Sequence, residues 1–190
     1  TGVTTFFIQQ EIDTGKIIEQ EKVKIGENES VGQLYERLMH LGAKTMHLTI
    51  EKIKLGSATS IEQKEVMSGT EKQAPKIFKE DCQINFDQPV EVVHNFCRGL
   101  SPYPAAWTRI LNRAKDELKN YKIFETRKTA IPITDSRAIK NDSEGILIPC
   151  SDFYIRITEL QIEGKRRMNF KDFLAGNQGA KLFINMKQSS

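Results

Sequence analysis

Three cysteines, Cys82, Cys97 and Cys150, stand in a chain of 190 residues, an odd number at spacings that exclude a disulfide framework or a paired metal-ligand knuckle. Histidine is as scarce. His40 and His47 lie seven residues apart on a predicted helix, about 10 Å along its axis, too far to share one ion, so no metal is expected. No apolar run approaches the roughly 18 residues of a membrane span, and no membrane association is expected. Internal repeats and low-complexity tracts are absent. What remains, 28% charged and 38% hydrophobic, is the composition of a soluble globular protein with reduced thiols, expected in the cytoplasm. The chain opens without methionine, inside a predicted strand, so the expectation is a piece of a longer protein.

Charge is divided unevenly. Residues 1–56 carry 7 Lys and Arg against 8 Asp and Glu, and residues 84–190 carry 17 against 12, so the net is −1 in the first part and +5 in the second. A basic second part calls for an anionic macromolecular partner. Lys165-Arg166-Arg167 concentrates the excess. Three adjacent cations repel one another and cannot all be neutralised by one carboxylate, so solvent or phosphate must absorb their charge. Arg156, Lys171, Lys119 and Lys122 extend the patch. The competing reading is a solvated turn whose side chains pair with Glu159, Glu163 or Asp172.

The order of elements separates the two parts. Val3 to Ile8 and Ile17 to Ile25 are β-branched or alternating runs on either side of the turn residues Asp13-Thr14-Gly15, which predicts strand, loop, strand. Ser30 and Gln33 form a capping box. The helix it opens carries Val31, Leu34, Tyr35, Leu38, Met46, Ile50 and Ile53 at helical spacing and stops at Gly56, a long helix to be laid on a sheet. Residues 57–77 lack periodic apolar positions and are expected to connect two domains. Asp87 is the expected cap of a short helix bearing Val90, Val93, Phe96, Cys97 and Leu100. Four strands then follow, Trp107 to Leu111, Tyr121 to Thr126, Gly145 to Ile148 and Phe153 to Gln161. Polar turns such as Lys140-Asn141-Asp142 separate them, which predicts a small antiparallel barrel of the kind that often binds nucleic acid. Trp107, after Pro102-Tyr103-Pro104, is expected to be buried.

These motifs carry a resemblance. Thr1-Gly2-Val3-Thr4 with Glu11-Ile12-Asp13-Thr14-Gly15, then Gly99-Leu100-Ser101-Pro102-Tyr103-Pro104-Ala105-Ala106-Trp107, then Leu160-Gln161-Ile162-Glu163-Gly164-Lys165-Arg166-Arg167-Met168 stand in the order found in the methionyl-tRNA formyltransferase family, which the chain resembles over most of its length. The resemblance implies an α/β fragment, the end of a Rossmann-like formyltransferase domain over 1–56, a linker over 57–77, and a mainly antiparallel, OB-like barrel over 78–190 that binds tRNA.

It further implies that the complete enzyme transfers formyl from 10-formyltetrahydrofolate to the amino group of methionyl initiator tRNA. Asp13 would be catalytic, completing an Asn, His and Asp constellation whose other members lie upstream, so that this chain alone would be inactive. Taken without the resemblance, Asp13 reads as a turn residue capping its own backbone. Lys76 in the linker, with Lys165, Arg166 and Arg167, would contact tRNA. Gln73, where an aromatic is frequent, and Asn85-Phe86, where Asp-Trp is usual, depart from the family's pattern. Two other readings stand beside this one, a sugar-nucleotide formyltransferase and a non-catalytic RNA-binding barrel module.

Overall fold

The computed structural model describes residues 1–10, 15–66, 73–112, 115–134, 138–177 and 182–184. They fall into two compact units, Thr1–Lys76 and Ile77–Ser190.

The first unit is a two-stranded antiparallel sheet with one long helix. β1 (Gly2–Phe6) pairs with β2 (Ile17–Lys22), and α1 spans Val31–Lys54. Ser30 caps α1 as its sequence predicts: Gln33 N–H donates to Ser30 Oγ, and Ser30 N–H donates to Gln33 Oε1 at 2.9 Å. The face that α1 turns to the strands is not the predicted one. Thr45 and Thr49 are its buried residues, and Thr49 Oγ1 shares a 2.8 Å hydrogen bond with Thr5 of β1. Tyr35, Met46, Ile50 and Ile53, expected on the packed face, are exposed. Small hydroxyl residues allow the helix to approach the sheet closely, and each Thr also donates to the carbonyl four residues earlier.

Part of the segment after α1 returns to this unit. Ile61 bridges Ile17, Gln63 donates to the Gly15 carbonyl at 2.8 Å, and Lys16 pairs with Glu62, while Gln63–Val66 form the helical turn α2.

The second unit is a nearly closed antiparallel barrel. Its strands are β3 (Ala106–Asn112), β4 (Glu117–Pro132), β5 (Lys140–Asn141), β6 (Ile146–Pro149), β7 (Phe153–Ile162), β8 (Arg167–Asn169) and β9 (Leu182–Ile184). They run β5-β6-β7-β4-β3-β9, with β8 added on β7. A bridge between Ala138 and Phe183 brings the two ends of that order together. Lys140-Asn141, expected as part of a turn, pairs with β6 instead, and β8 and β9 are too short for an alternation to announce them.

Helices α3 (Val90–Leu100) and α4 (Phe170–Ala175) cover the barrel. Pro89, not Asp87, precedes the first turn of α3, and the Val90 N–H donates to Asp152 Oδ1 at 2.8 Å from 62 residues away. Alternation fixes the core. Ala106, Ile123, Leu160 and Met168 form one row across β3, β4, β7 and β8, and the first three are at most 1% exposed. Phe173 of α4 closes the core edge-on against Tyr121, with ring centroids 6.0 Å apart. Cys82, Cys97 and Cys150 are buried free thiols. Among the described residues no helix is long and apolar enough to cross a membrane.

Candidate nucleic-acid interface

The core row implies its opposite. One residue along each strand lies the row Trp107, Lys122, Gln161, Arg167, which runs across β3, β4, β7 and β8 on the outer face of the sheet. An aromatic, two cations and an amide are therefore aligned by strand register alone. The next position out adds Arg109, paired with Asn120.

Trp107 is half-buried, not buried as expected. It packs against the core, and its indole N–H donates to the Lys79 carbonyl at 2.7 Å. The Lys79 ammonium lies 5.9 Å and the Arg109 guanidinium 5.8 Å from the ring centroid, within the range of cation–π attraction. Lys79 is held here because Ile84 N–H donates to the Trp107 carbonyl at 2.8 Å, tying the preceding turn, Glu80–Cys82, to the start of β3. Around this row the surface sinks into a groove of about 530 Å³ walled by Phe78, Tyr103, Trp107, Lys122, Gln161 and Gly164 among others. Buried Cys82 also lines it. Burial pushes its thiol up, Asp81 and Glu80 add to that, and Lys122 opposes them, so it is a neutral wall residue and not a nucleophile.

The cationic triplet follows Gly164, the last residue along the chain to line this groove. Lys165 N–H donates to the Ile162 carbonyl at 2.9 Å, closing a turn in which Gly164 takes the left-handed φ of +75° that glycine adopts without a side-chain clash. The three cations then separate. Arg167 opens β8, where it donates to both carboxylate oxygens of Glu159, with Nε at 2.6 Å, and lies 4.2 Å over the Phe124 ring. Its fork is thus occupied by the pairing weighed as the competing reading. Lys165 and Arg166 are exposed, with no carboxylate at ion-pair distance among the described residues. Lys165 lines a second, polar cleft with Lys115, Lys119 and Asp172.

Two cations expected to extend the patch are neutralised. Arg156 pairs with Asp142 and with Glu144, and Lys119 with Glu117 at 2.9 Å. Burial opposes ionisation of Asp142, but Arg156 and the amides of Glu144 and Gly145 hold its carboxyl below the usual range. Lys122 remains on the outer row, with no such pair among the described residues. Lys79 and Arg109, which complete the setting of Trp107, escaped the sequence reading. The alternation of Trp107 and Arg109 against buried Ala106, Thr108 and Ile110 is the signal that could have found Arg109, whereas Lys79 arrives through a loop.

Asp13 lies outside the described residues. Its flanks are anchored: Phe7 N–H donates to the Lys16 carbonyl at 3.1 Å, and a Cβ on Gly15 would fall 1.5 Å from the Phe7 carbonyl oxygen, so only glycine fits there. Lys76 is exposed and is the last residue of the first unit.

Residues 76–178 match the family described as the formyl transferase C-terminal domain, and residues 1–50 match the formyl transferase domain that precedes it. The chain belongs to the formyl transferase family. Among curated relatives of this formyl transferase chain, methionyl-tRNA formyltransferase of Azobacteroides pseudotrichonymphae is 42% identical over 93% of the chain and 56% of its own length. That of Bacteroides fragilis is 40% identical over 93% of the chain and 55% of its own length. The chain therefore spans about half the length of the curated relatives it matches. Among solved structures, HypX from Aquifex aeolicus in complex with tetrahydrofolic acid shares the fold with a TM-score of 0.68 at 14% identity, over 94% of this chain and 30% of that one. The N-formyltransferase from Helicobacter canadensis, complexed with folinic acid and dTDP-3-aminofucose, has a TM-score of 0.56 at 21% identity, covering 88% and 55%.

Proposed function

We propose that this chain serves in a methionyl-tRNA formyltransferase of the cytoplasm, which carries formyl from 10-formyltetrahydrofolate to the amino group of methionyl initiator tRNA in translation initiation. The observation that carries this reading is identity of about 40% to enzymes of that name over 93% of the chain. In it, residues 1–56 belong to the catalytic domain, 57–77 to a linker and 78–190 to the tRNA-holding barrel.

Acyl transfer to an amine sets the requirements. The amine nitrogen bonds to the formyl carbon, the bond from that carbon to the donor nitrogen breaks, and one proton must pass from the amine toward the leaving nitrogen. A carboxylate near the reacting amine favours the positive charge that appears there and organises the proton's departure. Asp13 is assigned that role. No residue is assigned to the donor.

Lys76, Lys165 and Arg166 are assigned to tRNA phosphates. Arg167, whose fork is engaged by Glu159, is assigned to phosphate only through exchange of that partner. The test is a transfer assay on the complete protein, offering 10-formyltetrahydrofolate with either methionyl-tRNA or a nucleotide-linked amino sugar. Formylation of methionyl-tRNA is the expected result, and transfer to the sugar alone overturns the assignment.

A further inference from the structure

The groove beside Trp107 has more chemistry than phosphate neutralisation requires. A phosphate-tracking surface needs cations and no aromatic, whereas accessible aromatic surface beside cations offers a base a place to stack. Here Trp107 is half-buried, packs against the core and also lines the groove, and Tyr103, 83% exposed, lines it as well. Lys79 and Lys122 line the same groove, Lys79 and Arg109 lie over the Trp107 ring, and none of the three has a carboxylate at ion-pair distance among the described residues. Duplex RNA buries its base faces in the helical stack, so such a surface matches an unpaired base, whose face is free. The volume, about 530 Å³, is within the range of about 300–1,000 Å³ typical of pockets for small organic groups.

We infer that this groove is a nucleotide-binding subsite that takes one unpaired RNA base against Trp107 and Tyr103, with the adjoining phosphates on Lys122 and Lys79. An entering base replaces a cation on the Trp107 ring, and the displaced ammonium or guanidinium then reaches phosphate. The exchange of partners retains one favourable contact for the cation while adding a stack for the ring. Asn120 and Gln161 do not read the base in this arrangement: the Asn120 amide donates to Glu163 and the Gln161 amide to the Lys165 carbonyl. The subsite therefore selects for an unstacked nucleotide and discriminates little among bases.

This inference rests on the reading of the second unit as an RNA-holding barrel and can fail apart from it. Trp107 is the only tryptophan of the chain, so its fluorescence reports the groove directly. The 190-residue chain is titrated at low salt with a single-stranded adenylate hexamer, and in parallel with an RNA duplex carrying the same number of phosphates. Saturable quenching by the single strand, at least tenfold tighter than by the duplex, is the expected result. Tyr103→Ala should weaken binding about ten- to a hundredfold. Lys122→Gln should lower the salt slope by about 0.7, the share of one phosphate of a single strand. Both positions are exposed, and a melting curve for each variant verifies the fold.

Absence of quenching, equal binding of duplex and single strand, or unaltered affinity of both variants overturns the subsite. Such a result beside normal formylation of methionyl-tRNA by the complete enzyme removes the subsite alone. Quenching as expected with no formylation removes the enzymatic reading and leaves the subsite.

Discussion

The two units of this chain bury opposite kinds of surface. In the barrel, a contiguous cluster of apolar side chains from Cys82 to Ile184 is closed by α3 and α4. In the first unit, Thr5, Thr45 and Thr49 are buried, while Met46, Ile50 and Ile53 of the same helix are exposed. Both units are regular in backbone. An amphipathic pattern states only that a face requires a partner, and in the first unit the apolar side of α1 is not the side its two strands occupy.

The largest effect that can test this contrast is on stability. Phe173→Ala, at a residue 1% exposed, should cost the barrel about 3–5 kcal/mol, read as a lowered denaturant midpoint of Trp107 fluorescence. Met46→Ala, 50% exposed on α1, should change the helical circular dichroism melt by less than about 0.5 kcal/mol. Comparable losses at both positions would erase the distinction between the units.

A second test uses the buried thiols, all of which lie in the barrel. Burial pushes the Cys150 thiol up to about 12 from an ordinary 9.0, with Asp152 adding to the shift and the Ile155 amide opposing it. Burial raises Cys97 as well, helped by Cys150. A folded pKa above the unfolded one leaves stability intact below about pH 9 and removes it as pH rises from there toward 12, because only the unfolded thiol ionises in that window. The barrel's melting temperature should therefore be flat between pH 7 and 8.5 and fall above 9, and a disulfide reagent at pH 8 should label Cys97 and Cys150 only after denaturation. Rapid labelling of the native chain would contradict the packing described.

The smallest effects separate the three adjacent cations. Arg167→Ala removes the bidentate pair with Glu159 and the contact with Phe124, and should cost about 1 kcal/mol of barrel stability. Lys165→Ala and Arg166→Ala should each stay within about 0.5 kcal/mol. Salt-dependent tRNA affinity should show the reverse order, with the salt slope flattened more by the latter two than by Arg167→Ala. If all three behave alike in both measurements, the separation seen at the turn has no energetic meaning.

Much of this organisation was legible where the determinants are local. Ser30 and Gln33 announce a helix start because the capping box is complete within four residues. The alternation in β3 and β7 announces a barrel because its period is that of the pleat. What was not legible depends on distant partners. The α3 amide that Asp87 was expected to satisfy is met by Asp152, across the barrel sequence. Arg167 could be matched with Glu159 only once the turn at Gly164 sets the β7–β8 register. Arg156 reads as a free cation until Asp142 and Glu144 arrive from the preceding loop. The row Trp107, Lys122, Gln161, Arg167 spans 60 residues of sequence and exists only as a consequence of three strand pairings.

The proposed division of labour places chemistry at Asp13 and tRNA holding in the barrel, and steady-state formylation of methionyl-tRNA by the complete protein tests it most directly. Asp13→Asn should lower kcat by about a hundredfold to ten-thousandfold with the KM for methionyl-tRNA nearly unchanged, because a participant in proton transfer acts in the transition state. The double variant Lys165→Ala, Arg166→Ala should raise that KM severalfold with kcat preserved. A normal kcat for Asp13→Asn, or a loss of kcat without a change in KM for the double variant, would contradict the division.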